Sequence, residues 1–443
     1  MSLSVAIIGS GPAAFYTADA LLKSDSDCRV DIIERLPCPY GLIRFGVAPD
    51  HEKTKNVMRA FAKTASHESV NYYGNVEIGK DIGLNEIREM YDAVVLAVGA
   101  DSDRTISIPG EDKKGVFGSA TFVNWYNGHP DCRDLNPDLN VGAVVVLGNG
   151  NVAIDVARVL VKTPAEMAAT DLPDYAAQPI QASRLTDVYM VGRRGPNDAK
   201  YTNVELREMG HLENCVPQID AAQLPDSVEG EMSDRDRRLT EKNLATVRTF
   251  IERKADEKPK RVHFVFYAQP VEILGDTRVT GVRFERTQVR DGRAVGLGEF
   301  FEVPCGLVIA AIGYTSRPVA DTPFDEKGGI VRSDDGRVAD GLYAVGWIKR
   351  GPSGVIGTNK PDGKLAAEQI LADFRATGGA TDGAAGGGKS GRAALEALLA
   401  VRGVRAVSFA EWQTIEAAEI ANAREGAPRK KFVTVDEMLT ALG

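Results

Sequence analysis

Cysteine is sparse in this 443-residue chain: Cys28, Cys38, Cys132, Cys215 and Cys305 stand far apart, with no CxxC pair and no spacing that suits a metal ion or an iron–sulfur cluster. A local redox disulfide is thereby excluded, and reduced thiols of a cytoplasmic protein are the expectation. No apolar run reaches membrane-spanning length. The first strand pattern starts within a few residues of Met1, so no signal or transit segment is expected ahead of it. Nor is there an excess of positive charge. With 53 Lys and Arg against 62 Asp and Glu, the formal net charge of -9 argues against non-specific nucleic-acid binding as the main task. What is present is ample apolar material, 43% of residues, enough for a substantial core in two domains or one split domain.

Two glycine-rich loops dominate the rest. Gly9-Ser10-Gly11-Pro12-Ala13-Ala14 comes after the apolar run Val5 to Ile8 and precedes a helical stripe of Ala14, Ala18, Leu21 and Leu22. Gly148-Asn149-Gly150-Asn151-Val152-Ala153 comes after Val144 to Leu147 and precedes Val152, Val156, Val159 and Leu160 in the same spacing. Each has the strand–loop–helix context of a dinucleotide-binding unit: Gly9 permits the tight turn, Gly11 lets the backbone approach a pyrophosphate, and the helix N-terminus stabilises its charge. Ala14 stands in place of the third glycine and is still small enough for close packing.

The two units differ in the charge at the end of their second strands. Glu34, after the second strand of the first unit, suits the hydroxyls of an adenosine ribose. Arg193 and Arg194, after the corresponding strand of the second, suit a 2′-phosphate and so predict NADP(H) over NAD(H). This arginine pair comes later than the usual ~20 residues after the glycines. Residues Thr163 to Arg184, with Pro164, Pro173 and Pro179, read as an excursion that accounts for the delay.

The buried-strand patterns Tyr91 to Ala100 and Leu307 to Gly313 echo one another, and the chain is expected to cross between domains after each. The fold class is therefore α/β, with two Rossmann-like domains, one inserted into the other: 1–103 and 316–443 form the first, 104–315 the second. Residues 378–391, rich in Gly, Ala and Ser, read as a flexible linker, and Phe409 to Gly443 as a helical cap. A late glycine-dense turn, Val345 to Asn359, lets backbone amides approach a flat ring.

Five stretches together resemble a known family: LPCPYGLIRFGVAPDH from Leu36 to His51, GNGNVAIDVAR from Gly148 to Arg158, VGRRGP from Val191 to Pro196, ELRE from Glu205 to Glu208, and the Val345 to Asn359 turn. They look like the adrenodoxin reductase type of ferredoxin–NADP reductase, a glutathione-reductase-like flavoprotein, and the resemblance covers nearly the whole chain. It implies FAD contacts at Ala13, Glu34, Leu42, Val76, Trp347, Gly354, Val355 and Ile356. For NADP(H) it implies contacts at Asn149, Gly150, Asn151 and Val152 along the pyrophosphate, at Arg193 and Arg194 on the 2′-phosphate, at Glu205 nearby, and at Gly354 beside the nicotinamide. His51, Asp155 and Glu208 match polar positions that the family places near the flavin and nicotinamide. Tyr40 stands where relatives often have Trp, and Cys38 where many have Thr.

The resemblance implies hydride transfer from NADPH to FAD and then single-electron transfer to a ferredoxin. An acidic enzyme needs a local basic patch to dock an acidic ferredoxin. The stretch 235–261, with Arg235, Arg237, Arg238, Lys242, Arg248, Arg253, Lys254, Lys258, Lys260 and Arg261, supplies one if Leu244, Val247 and Ile251 bury the opposite face. Two other readings stay open: a reductase of quinones or other small acceptors without a protein partner, and a nucleotide-binding redox sensor without turnover.

Overall fold

A computed structural model describes residues 2–25, 27–228, 230–376 and 389–443. Two six-stranded sheets carry the molecule. In the first the strand order is Arg337–Ala339, Leu342–Ala344, Ala93–Leu96, Ser4–Ile8, Arg29–Ile33, Val70–Tyr73. All its neighbours are parallel except the edge pair, Arg337–Ala339 against Leu342–Ala344. In the second the order is Val116–Gly118, Leu307–Ala310, Ala143–Leu147, Asp187–Val191, Lys260–Val265, Cys215–Ile219, parallel throughout. Near-continuous apolar strands such as Val5 to Ile8 and Val144 to Leu147 are what sheets covered on both faces require.

The order matters for function. Strand Ser4–Ile8 lies between Arg29–Ile33 and Ala93–Leu96, and Ala143–Leu147 lies between Asp187–Val191 and Leu307–Ala310. In both sheets the chain leaves this strand at the topological switch point, where the crevice of an open parallel sheet forms. The glycine loops sit there. Behind them, helix Pro12–Ser24 buries Ala14, Ala18 and Leu21, and helix Asn151–Val161 buries Val156, Val159 and Leu160.

Ser102–Asp103 and Tyr314–Thr315 run antiparallel to one another, so the two connections between the sheets are hydrogen-bonded together. A separate three-stranded antiparallel sheet, Ala268–Leu274, Gly281–Arg290 and Arg293–Pro304, is attached to the second half. The region 163–184 is itself folded. Thr163 caps helix Pro164–Met167, and Asp174–Gln181 forms another helix despite Pro179. Of the glycine-rich stretch, 378–388 lies outside the described residues.

The C-terminal segment is helical over Phe409–Ala421 and Val435–Thr440, and Trp412 is buried in the core of the first half. Between these helices the chain reaches across to the second half. Arg424 donates to the carbonyls of Ala168 (2.9 Å), Met167 (3.1 Å) and Thr170 (3.1 Å), and Lys431 to Asp171 (3.0 Å). The basic helix Asp234–Arg248 is capped by Ser233 and buries Leu244 and Val247. Ile251 departs from expectation: the helix stops at Arg248, and Ile251 is 42% exposed.

Candidate functional site

The first glycine of each loop is there for sterics. Gly9 has φ +99°, and a Cβ would lie 2.6 Å from the carbonyl oxygen of Ala97; Gly148 has φ +142°, and a Cβ would lie 2.3 Å from that of Ala311. The loops thus press on the strands that echo one another in the sequence. The second glycine is there for access. Among the described residues, no atom beyond the adjoining residues lies within 4 Å of a Cβ built on Gly11 or on Gly150. Those two cradles, each at a helix N-terminus, can take a pyrophosphate.

Glu34 faces the first loop, accepting from Ser10 N (3.0 Å), Ser10 Oγ (2.6 Å) and Leu36 N (3.1 Å). Val76 is buried and its amide donates to the Glu34 carbonyl (2.9 Å). Ala13 is buried and Leu42 half-buried. Tyr40 carries φ +86° while 2% exposed, an unusual conformation for a bulky residue. Its amide donates to the Ser10 carbonyl (3.0 Å), holding the Tyr40–Gly41 turn on the loop. Cys38 beside it is an inert thiol, since burial pushes its pKa up to about 12.

Trp347 is half-buried and its Nε1 donates to the Ser353 carbonyl (3.0 Å), which fixes the turn carrying Gly354, Val355 and Ile356. Val355 is 66% exposed. Two further exposed apolar residues, Val98 (40%) and Ile312 (41%), project from the ends of otherwise buried strands. Sequence reasoning does not single out either one. A usable signal exists all the same, in a bulky residue set between small ones just past each echo strand.

On the second loop, the side-chain amide of Asn149 lies against Gly192, and Asn151 Oδ1 accepts from Thr202 N (2.7 Å). Val152 packs with Tyr314 and Trp347 around Ala100 and Ala120, which brings the two nucleotide units edge to edge. Arg193 is exposed at the end of its strand, and Arg194 pairs with Asp198 (3.1 Å). Their backbone is anchored, for Thr287 Oγ1 donates to the Arg193 carbonyl (2.7 Å).

His51, Asp155, Glu205 and Glu208 converge on Arg158, a residue to which the sequence alone assigns no role. Arg158, wholly buried, donates Nε to Asp50 (2.6 Å), Nη1 to Glu205 (3.1 Å) and Nη2 to Asp155 (2.8 Å). Its Nη2 also lies 2.9 Å from His51 Nε2. Lys162, one helical turn on, donates to Asp50 (2.7 Å). His51 Nε2 sits 3.1 Å from Glu208 and 3.3 Å from Glu205. A guanidinium can only donate, so against Arg158 this ring nitrogen is an acceptor, and against an ionised Glu208 it is a donor. The cluster therefore holds a proton that can sit on the imidazole or on a carboxyl.

Burial and the neighbouring charges of Asp155 and Glu208 push Glu205 up to about 7. Asp155 is also raised by burial. Glu208 is held below its usual range by the His51 hydrogen bond. Burial, the largest effect, and the Arg158 charge oppose a charge on His51, but the Glu208 hydrogen bond and the carboxylates of Asp155 and Asp50 together outweigh them and leave the imidazole raised. Asp50 goes the other way from Asp155: burial would raise it, but Arg158 and Lys162 hold it well below the carboxylate range. The triads Asp50–His51–Glu208 and His51–Asp155–Glu205 have metal-like spacing, but Arg158 already bonds a carboxylate of each or lies beside it.

The family pattern of the pyridine nucleotide-disulphide oxidoreductases matches residues 3–195. Human mitochondrial NADPH:adrenodoxin oxidoreductase is 42% identical over 465 aligned residues, covering 99% of this chain and 92% of that protein. The chain belongs to the NADPH:adrenodoxin oxidoreductase family. The NADPH-ferredoxin reductase FprA of Mycobacterium tuberculosis is 39% identical, with 98% of each chain covered. Its solved structure in complex with NADPH superposes with a TM-score of 0.95 at 38% identity, over the full length of both chains. The two-domain α/β fold of the family is thereby that of this chain.

Proposed function

We propose that the chain is an FAD-dependent NADPH–ferredoxin reductase. The observation that carries this is the meeting of the two nucleotide units: Val152, behind the second glycine loop, and Trp347, beside the first unit's turn, pack against one cluster of Ala100, Ala120 and Tyr314. Residues 1–103 and 316–443 are assigned to FAD and 104–315 to NADP(H). Support comes from the sheets, the first built from strands within 4–96 and 337–344 and the second from strands within 116–310. The residues present fit both groups, because Gly11 and Gly150 leave open cradles, and uncovered apolar surface is presented by Val98 and Ile312 past the strand ends and by Val355 on the glycine-dense turn. FAD bound there would supply a hydride acceptor for NADPH and a source of single electrons for an iron–sulfur protein.

The chain's own part is to bind, orient and exclude water. Gly9, Gly11, Ala13, Leu42 and Val76 seat the flavin nucleotide, with Glu34 toward its ribose. Arg193 and Arg194 clamp the 2′-phosphate, and Asn149 to Val152 line the coenzyme's pyrophosphate. His51, Asp155 and Glu208 orient the nicotinamide, with Arg158 holding them in register. Trp347 and the Gly354 to Ile356 turn cover the rings.

The acidic iron–sulfur partner docks on helix Asp234–Arg248, where Arg235, Arg238, Lys242 and Arg248 are exposed. Among the described residues no helix is long and apolar enough to cross a membrane. A cytoplasmic setting is part of the same proposal, supported by five unpaired cysteines. Ferredoxin-coupled cytochrome reduction by the NADPH-reduced holoenzyme tests the reading. Turnover that requires the ferredoxin supports it, and equal turnover without one refutes it.

A further inference from the structure

Beyond the residues that the glycine loop itself supplies, a lysine lies against it. Lys200 forms a parallel bridge with Gly150. Its amide donates to the Asn149 carbonyl (2.8 Å), and two residues on, Thr202 N donates to Asn151 Oδ1 (2.7 Å). Residues 200–202 are therefore laced along the loop, with Lys200 opposite the very glycine whose Cα faces open space. Lys200 is exposed, and its ammonium enters no ion pair among the described residues. The nearby acid Asp198 is engaged by Arg194. A cation on a four-carbon stem, next to an open glycine turn at a helix N-terminus and without a carboxylate of its own, is set up to meet an anion there.

We propose that Lys200 binds the pyrophosphate of the pyridine nucleotide, a charge contact separate from the arginine pair that reads the 2′-phosphate. This rests on the assignment of the second loop to NADP(H). The two cation sets divide the work. Lys200 strengthens NADP(H) and NAD(H) alike, whereas Arg193 and Arg194 act on NADP(H) alone.

The test is calorimetric titration of FAD-loaded wild type, Lys200→Met and Lys200→Arg with NADP+, NAD+ and 2′-AMP, the last carrying a 2′-phosphate but no pyrophosphate. Lys200→Met is expected to weaken NADP+ and NAD+ by the same factor, about five- to tenfold. Affinity for 2′-AMP should stay at the wild-type value, and Lys200→Arg should bind both coenzymes nearly as wild type does. Unchanged NADP+ affinity in Lys200→Met would overturn the proposal. So would a loss for NADP+ and 2′-AMP with NAD+ untouched, since that would move the lysine to the 2′-phosphate. Wild-type protein that binds no NADP+ at all would refute the coenzyme assignment instead.

Discussion

Arg158 bonds carboxylates from both sides of the cleft, Asp50 on one and Asp155 and Glu205 on the other, so the charge state of the site is set jointly by the two halves. Glu205 titrates near 7 there. NADPH is an anion and is favoured by the protonated form, so its affinity should fall as pH rises through about 7. Glu205→Gln should flatten that dependence, as a pH series of NADP+ dissociation constants would show. Stability carries the opposite sign from an ordinary paired carboxylate. A carboxyl whose folded pKa is raised binds its proton more tightly when folded, so its contribution to stability declines between the unfolded value of about 4.3 and 7. Neutralising Arg193 and Arg194 together should weaken NADPH roughly tenfold or more, at about 1.5–3 kcal/mol for a charged hydrogen bond, and leave NADH nearly unaffected. The placement of Glu34, Arg193 and Arg194 just past strand ends was legible in the sequence because each follows a buried strand of a unit with fixed geometry. Asp50 and Arg158 were not, because their meaning comes from a contact 108 positions apart in the chain.

At the scale of elements, the two loops make separable predictions. Gly148→Ala puts a methyl within 2.3 Å of the Ala311 carbonyl, and backbone cannot give way cheaply. The purified variant should remain yellow with FAD but lose NADP+ binding, read by flavin absorbance and coenzyme titration side by side. Gly9→Ala should do the reverse and emerge depleted of flavin. The loops, their strands and their helices were readable from apolar runs and 3.6-residue spacing. The end of the basic helix was not. Ile251 continues the stripe of Leu244 and Val247, yet the chain turns off at Arg248 and leaves it in solvent. If that helix docks ferredoxin, ferredoxin-dependent turnover should fall as salt rises, while direct dye reduction by NADPH should change much less. Parallel salt curves would remove the helix from the docking face.

Across the whole molecule, buried ion pairs fix one half against the other. Lys55 of the first half and Lys431 of the C-terminal segment both bond Asp171 of the second (2.6 and 3.0 Å), all three nearly inaccessible. Lys431 also donates to the carbonyls of Arg44 and Asn127 (3.1 Å each), one from each half. Lys55→Met leaves the Asp171–Lys431 pair in place, whereas Asp171→Asn strips both lysines of their counter-charge. The second should cost more, about 3–5 kcal/mol for breaking a buried pair, seen as the larger drop in thermal midpoint. The sequence pointed to the split-domain plan through its repeated strand patterns, but the crossing of the tail to the second half has no local signature.

Direct hydride transfer requires the two nucleotides to be held in adjoining pockets. Anaerobic titration of the FAD-loaded protein with NADPH tests it most directly. Stoichiometric NADPH should bleach the flavin absorbance, much faster than NADH does at equal concentration, and added ferredoxin should restore it. A flavin that stays oxidised while NADPH is shown to be bound would contradict it.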